Sequence, residues 1–480
     1  MRAALITRII SLPVFVKEPT MDGNHTQALA EFAAELCYED LPAPVVETVK
    51  HIILDSLGCA LAATTLGDGC AESIAVMERL GGPADSTILG TAKKVAAPNA
   101  AFANGALVHA LNYDPIGTNI GHVGVVSLAA PLAAAEAVGG QTGRDLIVAC
   151  AVAAEVTARV ISAVSRTGRR PSETFLSGQL LTYFGAAAGA GRAFGLDAKD
   201  MENAFGLAMM QMAGSRQITM GGDPPAKAIY GAFPNQAGVQ AALLARAGLT
   251  ADVDVFGEPA GLYPAIYGGG CDTEALVENL GDEFFLTQVG FKPWPTSNQL
   301  HPAIEAAIEI AAGGLDVGDI KAIEITVPTN RENWCAPLKE RQRPKNAAAA
   351  ANSIPFCVAK ALVHGDVTLS DVTAVGLTDE AALAAAARTS YGLDDQIRGA
   401  KIRVVMNSGA SHNAHIEDGL GSSERPISVD RLTEKFRDCC RNGATGLSGE
   451  RIDALVALVG TFERQDDIDY FVALAGGDAI

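Results

Sequence analysis

The sequence has few aromatic residues and no cysteine spacing typical of a metal site. Aromatic residues make up 5% of the 480-residue chain. Its nine cysteines are scattered without a CxxC pair. An odd number of cysteines without a disulfide framework is typical of reduced thiols, so we expect a cytoplasmic location. Glycine is abundant, but the double glycines fit neither GxGxxG nor a P-loop, and GxSxG is absent. Nucleotide binding and a serine nucleophile are therefore not indicated.

Positive charge is also scarce. Lysine and arginine number 36 against 55 acidic residues, which gives a formal net charge of −19. Nonspecific binding to nucleic acid or to an anionic membrane is unfavourable at that charge. No stretch of about 18 residues has the uninterrupted apolar character of a membrane span. We therefore predict neither nucleic acid nor membrane as a partner, and an anionic substrate would require the few cations to gather in one cleft.

What the chain does have is apolar residues at helical spacing, and its length favours two domains. Up to residue 273 the pattern predicts helices without a strand, and the segment YFGAAAGAGRAFG carries small residues that let helices approach closely. Beyond it, FFLTQVGF, KAIEITV and KIRVVM are β-like and alternate with predicted helices at 352–364 and 380–388. From Ser428, a candidate helix cap, the pattern is helical again.

This order predicts a mainly α fold with an inserted α+β domain. A large all-helical domain would be formed by both chain ends, residues 22–273 and 409–480, with a smaller α/β lid domain at 274–408. Residues 1–21 contain arginines and a short apolar run that Pro13 interrupts. We expect them to be an N-terminal extension, not a signal peptide.

The most informative stretch is NGALVHALNYDPIGTNIGHVG, residues 104–124. His109 and Asn112 are three residues apart and share one helical face. Pro115 pushes Asp114 out of the α region, and His122 follows in a glycine-rich loop between two apolar segments. The pattern is typical of an active-site loop. The alternative is a capped turn in which His122 bonds a backbone carbonyl.

Two lysines and a third histidine extend this candidate site. Lys227 ends a polar, Gly/Pro-rich loop, and Lys292 lies in GFKPWP, where two prolines and a tryptophan restrict it. Desolvated or neighbouring lysines have lowered pKa values and can act as bases, or they can bind substrate carboxylates. The alternative is a pair of solvated surface lysines. His301 opens a helix and is either a substrate ligand or a hydrogen-bonding residue of the helix start.

Other charged residues have simpler interpretations. Arg159 lies four residues after Glu155, a spacing that forms ion pairs on one helix. His412 and His415 lack the further ligands that would complete a metal set, so we interpret SHNAHIEDG as a polar loop and predict no metal.

Several stretches together resemble the MmgE/PrpD family, which includes 2-methylcitrate dehydratase, cis-aconitate decarboxylase and iminodisuccinate epimerase. They are HIILDSLGCALA (51–62), NGALVHALNYD (104–114), AAEVTARV (153–160), LTYFGAAAGAGRAFGL (181–196), GFKPWPTSNQLHPA (290–303), SIPFCVAKALVHG (353–365) and RPISVDRLTEKFRD (425–438). The resemblance implies the same two-domain fold, a homodimer, a small carboxylate substrate and no organic cofactor or metal. It also implies site residues, because His122, Lys227, Lys292, Asp114 and Arg159 match positions of the family's active site. Together with the residues singled out above from local spacing, we predict a catalytic set of His122, Lys227, Lys292 and Asp114 and a substrate-binding set of Asn112, His109, Arg159 and His301.

The chain departs from the family pattern at several proton-handling positions. Asn112 stands where the dehydratases and decarboxylases usually have aspartate, and Leu176 falls where many have histidine. Phe356 replaces a frequent tyrosine, and Ser297 and Asn298 replace a frequent Cys-Arg pair. These departures weigh against simple transfer of either activity.

Reactions of this group share the formation of a carbanion next to a carboxylate, which positive charge must stabilise. We therefore predict a cofactor-independent hydro-lyase, similar to 2-methylcitrate dehydratase, that acts on a small di- or tricarboxylate. The alternatives are an epimerase of an amino-dicarboxylate, a decarboxylase of the cis-aconitate type and, from another class, a non-enzymatic helical scaffold.

Overall fold

A helical unit is built from both ends of the chain. The computed structural model describes residues 24–168, 175–220, 224–443 and 447–476, so the predicted N-terminal extension lies outside the described residues. The helices that the first part of the chain contributes to this unit are α1 His25–Glu35, α2 Ala43–Leu66, α3 Cys70–Leu80, α4 Ala97–His109, α5 Gly124–Ser127, α6 Ala129–Val138, α7 Gly143–Ser165, α8 Ser177–Leu180, α9 Thr182–Phe194, α10 Ala198–Met209, α11 Gln217–Met220, α12 Ala232–Arg246 and α13 Leu262–Tyr267.

Helix α7 runs through the centre of this unit. Thr142 caps it, and Thr142 and Asp145 form a reciprocal capping box that satisfies its first amides. The helix is long and apolar enough to cross a membrane, but the apolar window that meets this criterion is entirely buried inside the protein. It is thus packed as a core helix, and the cytoplasmic location stays a prediction.

Small residues let α7, α9 and α12 pack closely, as the sequence predicts. A Cβ atom on Gly185 would collide with Thr157 of α7, and one on Gly238 would come within 2.6 Å of the Ala186 Cβ. Larger side chains at these two glycines would force the helices apart, because packed interiors leave few voids.

Two local predictions are wrong. The first part of the chain contains a short antiparallel ladder, β1 Ser86–Ile88 with β2 Lys93–Val95, where the pattern predicted no strand. Strands of three residues are too short to show alternation, and the buried Asn104 side chain stabilises this ladder by bonding Thr87 O and Leu89 N. The stretch FFLTQVGF is also not a strand, because Glu155 accepts hydrogen bonds from two successive amides and Phe285–Gln288 forms a 3₁₀ turn.

A small mixed sheet forms the second unit. Its strands are β3 Ile320–Val327, β4 Thr389–Leu393, β5 Ala400–Met406 and β6 Ser411–Ile416. They lie in the order β4-β3-β5-β6, with β3 and β4 parallel and the other pairs antiparallel. The helices of this unit are α14 His301–Ala312, α15 Leu338–Gln342, α16 Ala347–Ala350, α17 Ile354–His364 and α18 Glu380–Ala386.

The segment around His412 and His415 is a strand, so its interpretation as a polar loop is wrong. β6 is an edge strand whose residues alternate between exposed and half-buried, and this polarity hides the strand pattern. Its pairing with β5 carries the sheet beyond the boundary predicted at residue 408. The chain then returns to the helical unit as α19 Val429–Arg441, α20 Gly449–Gly460 and α21 Asp469–Gly476, and Ser428 caps α19 as predicted.

The two units have separate hydrophobic cores. One core joins residues from Leu29 to Val289 with residues from Phe436 to Ala475, and Leu369 also reaches it. The other joins residues from Trp294 to Met406. This distribution agrees with a mainly helical protein that contains a small α/β unit, whereas the exact domain limits stay a prediction.

Candidate active site

The candidate loop folds back on itself after α4. The residue Asn112 adopts a left-handed backbone conformation with φ 50°, which asparagine tolerates better than most residues. Gly117 and Gly121 then exchange two backbone hydrogen bonds of 3.0 and 2.9 Å, and Gly121 has φ 65°. This closed turn brings His122 back to Asp114.

Backbone pairing also brings Lys292 to the same place. The amides of Ile116 and Gly290 each donate to the carbonyl of the other, at 3.1 and 2.9 Å. Lys292 follows Gly290 by two residues, is almost fully buried, and donates to the Asn112 carbonyl at 2.7 Å and to its Oδ1 at 2.8 Å. The left-handed turn at Asn112 thus supplies two acceptors for one buried lysine.

Asp114 lies at the centre of these contacts and is fully buried. Its Oδ1 lies 3.1 Å from His109 Nδ1 and 3.8 Å from Lys292 Nζ, and its Oδ2 lies 2.8 Å from His122 Nδ1. Burial alone would raise the pKa of Asp114, but the charges of His122, His109 and Lys292 hold it well below its usual value. The carboxyl group is therefore ionised at neutral pH.

An ionised Asp114 determines where the histidine protons lie. A carboxylate only accepts hydrogen bonds, so both Nδ1 atoms must donate, and Nε2 of a neutral ring is then an acceptor. Burial lowers the pKa of His122 to about 4, although Asp114 opposes this. At neutral pH His122 is therefore an uncharged imidazole whose Nε2 can accept a proton. Its side chain retains 20% exposure, so it is accessible.

Lys292 carries the other strongly perturbed charge of the cluster. Burial lowers its pKa, and the neighbouring Asp114 carboxylate opposes that shift. The ammonium group of Lys292 donates two hydrogen bonds to Asn112 and forms an ion pair with Asp114. Its positive charge therefore acts on the cluster through the Asp114 carboxylate.

A cleft lies between the helical unit and the α/β unit. Its polar lining consists of His109, Asn112, Lys227 and Asn352, and its apolar lining is dominated by alanines. Lys227 ends a 3₁₀ turn, contributes to the lining of this cleft and is half-buried. The structure therefore connects Lys227 with the Asp114 cluster through His109 and Asn112.

The donor set of His109, Asp114 and His122 also has the composition of a metal site. One ligand atom from each residue lies within 4.8 Å of the others. Imidazole and carboxylate ligands suit several divalent transition metals. In the structure both carboxylate oxygens instead accept hydrogen bonds from the imidazoles, which satisfies the buried charge without an ion. The absence of a metal requirement stays a prediction.

Arg159 does not lie beside this cluster. It is fully buried, pairs with Glu155 at 2.7 Å, and donates to the carbonyls of Glu278 and Glu283 at 2.8 and 2.7 Å. It also stacks over the Phe285 ring at 4.3 Å. A guanidinium with no exposed surface cannot contact a substrate in this conformation. This geometry argues against the substrate-binding role that the resemblance implies.

His301 is a buried neighbour of the site, not part of the cleft lining. It packs edge-on against Trp294, and its Nε2 has no hydrogen-bond partner among the described residues. Burial, followed by the charge of Lys292, lowers its pKa to about 3. His301 is therefore a neutral ring that borders the lysine segment.

Two residues that the structure brings to the site, Tyr230 beside His109 and Asn352 in the cleft lining, are missing from the predicted site. Tyr230 packs against His109 with ring centroids 4.0 Å apart, and burial raises its pKa well above the usual value. It lies three residues after Lys227, which is the sequence signal that could have indicated it. Asn352 lies just before α17 and reaches the cleft only because the two units meet, so no local pattern marks it.

Fold and site together define a class of protein: a mainly helical chain with a small α/β unit, and a carboxylate–imidazole cluster beside the cleft between them. The chain belongs to the MmgE/PrpD family. Its residues 27–273 match the MmgE/PrpD N-terminal domain, and residues 294–459 match the MmgE/PrpD C-terminal domain.

Relatives of known name are similar over almost the whole chain. A cis-aconitate decarboxylase-like protein, oryM, of Aspergillus oryzae is 26% identical over 96% of this chain and 99% of its own length. The cis-aconitate decarboxylase of Aspergillus terreus is 25% identical over 86% of this chain and 88% of its own. The human cis-aconitate decarboxylase is 24% identical, covering 90% of each chain. The family and these relatives are enzymes.

Proposed function

We propose that this protein is a lyase that acts on a small di- or tricarboxylate through a carbanion next to a carboxylate. The observation that carries the proposal is the contact of one ionised Asp114 with both His109 and His122, beside a cleft that Lys227 lines. A carboxylate that binds the Nδ1–H of an imidazole fixes its tautomer and its orientation, so the free Nε2 can act as a general base at one defined position.

Each group has a role in this scheme. The Nε2 of His122 removes or relays a proton at the reacting carbon, and Asp114 stabilises the imidazolium that forms. The Lys227 ammonium binds a substrate carboxylate at the cleft. Lys292, held behind the loop, adds positive charge that favours the enediolate.

Decarboxylation is the first candidate for the overall reaction. The relatives named cis-aconitate decarboxylases support it, although the identity is only about a quarter. In that reaction the bond from carbon to the leaving carboxylate breaks, its electron pair stays on carbon, and a proton then replaces the carbon dioxide. His122, whose Nε2 can exchange a proton with water, is the candidate donor of that proton.

Dehydration of the 2-methylcitrate type is the second candidate. The observation that favours it is the neutral state of His122, because a hydro-lyase must first remove a proton from carbon. Epimerisation of an amino-dicarboxylate begins with the same step. All three reactions would therefore use one cluster. The carbanion forms by loss of carbon dioxide in decarboxylation and by loss of a proton in the other two reactions; it then expels hydroxide in dehydration and takes up a proton in decarboxylation and epimerisation.

Turnover in deuterated water distinguishes these reactions. The protein is incubated separately with cis-aconitate, 2-methylcitrate and an amino-dicarboxylate, and each mixture is followed by proton NMR with carbon dioxide detection. Carbon dioxide release with deuterium in the product indicates a decarboxylase, and an alkene formed with water loss indicates a hydro-lyase. Deuterium uptake at the α-carbon without loss of a group indicates an epimerase. No reaction and no exchange with any of these acids would contradict the proposal and favour the scaffold.

A further inference from the structure

A second buried charge pair contacts the candidate loop at Tyr113. The side chain of Lys435, on α19, has 4% exposure, and its Nζ lies 2.6 Å from Oδ1 of the fully buried Asp55 on α2. No step of the proposed reaction uses this pair. A buried ion pair loses its hydration on folding, so its retention calls for a specific explanation.

Lys435 also holds the residue that precedes Asp114. Its Nζ donates to the Tyr113 carbonyl at 2.8 Å and lies 3.7 Å from the centroid of the Tyr113 ring. The same ammonium therefore contacts Tyr113 through its backbone and through its π face, and Asp55 neutralises the charge.

Tyr113 in turn reaches the lysine segment. Its hydroxyl donates to the Pro293 carbonyl at 3.1 Å, and Pro293 follows Lys292. One buried tyrosine thus contacts both parts of the chain that meet at the cluster, the loop that carries Asp114 and the segment that carries Lys292. Neither Lys435 nor Tyr113 is among the residues that line the cleft.

We propose that Lys435 is a positioning residue, which uses Tyr113 to hold the Asp114 loop and the Lys292 segment in register. The inference rests on the proposed function for its kinetic test only. Lys435 itself contacts neither the cleft lining nor the Asp114 carboxylate among the interactions described above.

The test uses the Lys435→Met/Asp55→Asn double variant, because Lys435→Met alone leaves a buried carboxylate unpaired. The control is Lys360→Met, a single change that leaves no fully buried carboxylate unpaired, because both acidic partners of Lys360 are partly exposed. Lys360 is also a buried lysine, pairs with Asp371 at 3.1 Å and Asp379 at 2.8 Å, and lies over the Phe356 ring, but it belongs to the α/β core.

Two measurements are made on each variant. Amide hydrogen exchange of Ile116 and Gly290 reports the backbone pairing between the two segments, and it needs no substrate. We expect exchange to accelerate about tenfold in the double variant, because local opening becomes easier. We expect kcat to fall about 100-fold with little change in KM, since a displacement of about 1 Å can have that effect. Lys360→Met should leave both readouts as in the wild type.

Unchanged exchange at Ile116 and Gly290 in the folded double variant would overturn the inference, whatever happens to kcat. Faster exchange supports it even if no acid is turned over, in which case only the proposed function fails. If the double variant does not fold, Tyr113→Phe replaces it, because it removes only the hydrogen bond to Pro293. Faster exchange at Gly290 then supports the inference, and wild-type exchange there overturns it.

Discussion

Two of the buried charge clusters described above differ in where their polar groups are directed. Arg159 and Glu155 direct their contacts inward, to each other, to backbone groups of the 275–286 segment and to the Phe285 ring. The Asp114 cluster directs its imidazole Nδ1 atoms inward but leaves His122 partly exposed. Burial of charge is therefore common to both clusters, and the partly exposed imidazole of His122 is what distinguishes the Asp114 cluster.

The largest expected effect is a fall in kcat when the Asp114 cluster is changed. Asp114→Asn removes the negative charge that fixes the Nδ1–H tautomer of both histidines. We expect kcat to fall on the order of 10³–10⁴-fold, the scale seen when a triad aspartate is changed to asparagine. Steady-state kinetics of the folded variant measures this. Asp197→Asn, at the cap of α10, is the control, and a loss under tenfold in Asp114→Asn would remove the cluster from the chemistry.

The next prediction concerns the Arg159–Glu155 pair, whose loss should lower the stability of the fold and not the activity. Arg159→Met leaves Glu155 buried without its partner and frees the carbonyls of Glu278 and Glu283. We expect the free energy of unfolding to fall by about 3–5 kcal/mol. Denaturant titration measures the loss, and active-site titration should show unchanged kcat per folded molecule. A large fall in kcat at wild-type stability would instead indicate that Arg159 reaches the substrate.

A change at Lys227 tests whether the cleft beside the Asp114 cluster binds the substrate carboxylate. Lys227→Met removes a charge-assisted contact worth about 1.5–3 kcal/mol, so we expect kcat/KM to fall about 10–100-fold, mainly through a higher KM. Initial rates over a range of substrate concentrations separate KM from kcat. Lys199→Met, at an exposed position of α10, is the control. An unchanged KM would place the carboxylate-binding group elsewhere.

The pH profile tests the state of His122. Because its pKa is lowered to about 4 and it acts as a base when neutral, kcat/KM should be flat near neutral pH and fall as pH drops through about 4. Rates are measured with circular dichroism at each pH to confirm that the protein is folded. An acid limb near pH 6.5, the ordinary value for histidine, would contradict the assignment.

The smallest effect is expected at histidines outside both clusters. His412→Ala and His415→Ala change the solvent-facing edge strand β6, so we expect the free energy of unfolding to change by less than about 0.5 kcal/mol. Thermal unfolding and kcat should both match the wild type. A marked loss in either variant would show that β6 contributes to the site.

Much of the architecture could be predicted because helical periodicity is a local signal. The segments that form α2, α7, α12 and α19 are long, with apolar residues at helical spacing, and Thr142 and Ser428 cap α7 and α19. The failures have tertiary causes. Phe285–Gln288 is a turn because a distant carboxylate, that of Glu155, binds its amides, and β6 is a polar edge strand that owes its conformation to β5.

Some parts of the candidate site could likewise be predicted from local sequence, and others could not. His109, at the end of α4, and Asn112, Asp114 and His122, in the loop that follows, are close in sequence, so their proximity could be expected. Lys292 reaches them only through backbone pairing of residues far apart in sequence, which no local pattern reveals; the resemblance to a family supplied that link. Arg159 shows the converse, since its i,i+4 pair with Glu155 was visible locally and accounts for much of its environment.

The central claim is that the ionised Asp114 holds His122 as a neutral imidazole with its proton on Nδ1. Long-range ¹H–¹⁵N NMR of histidine-labelled protein at neutral pH reads this directly, with His122→Asn used to assign the signals among the eight histidines. The account predicts a protonated Nδ1 and a bare Nε2 for His122. A proton on Nε2 with a bare Nδ1, or a fully protonated ring at neutral pH, would contradict it.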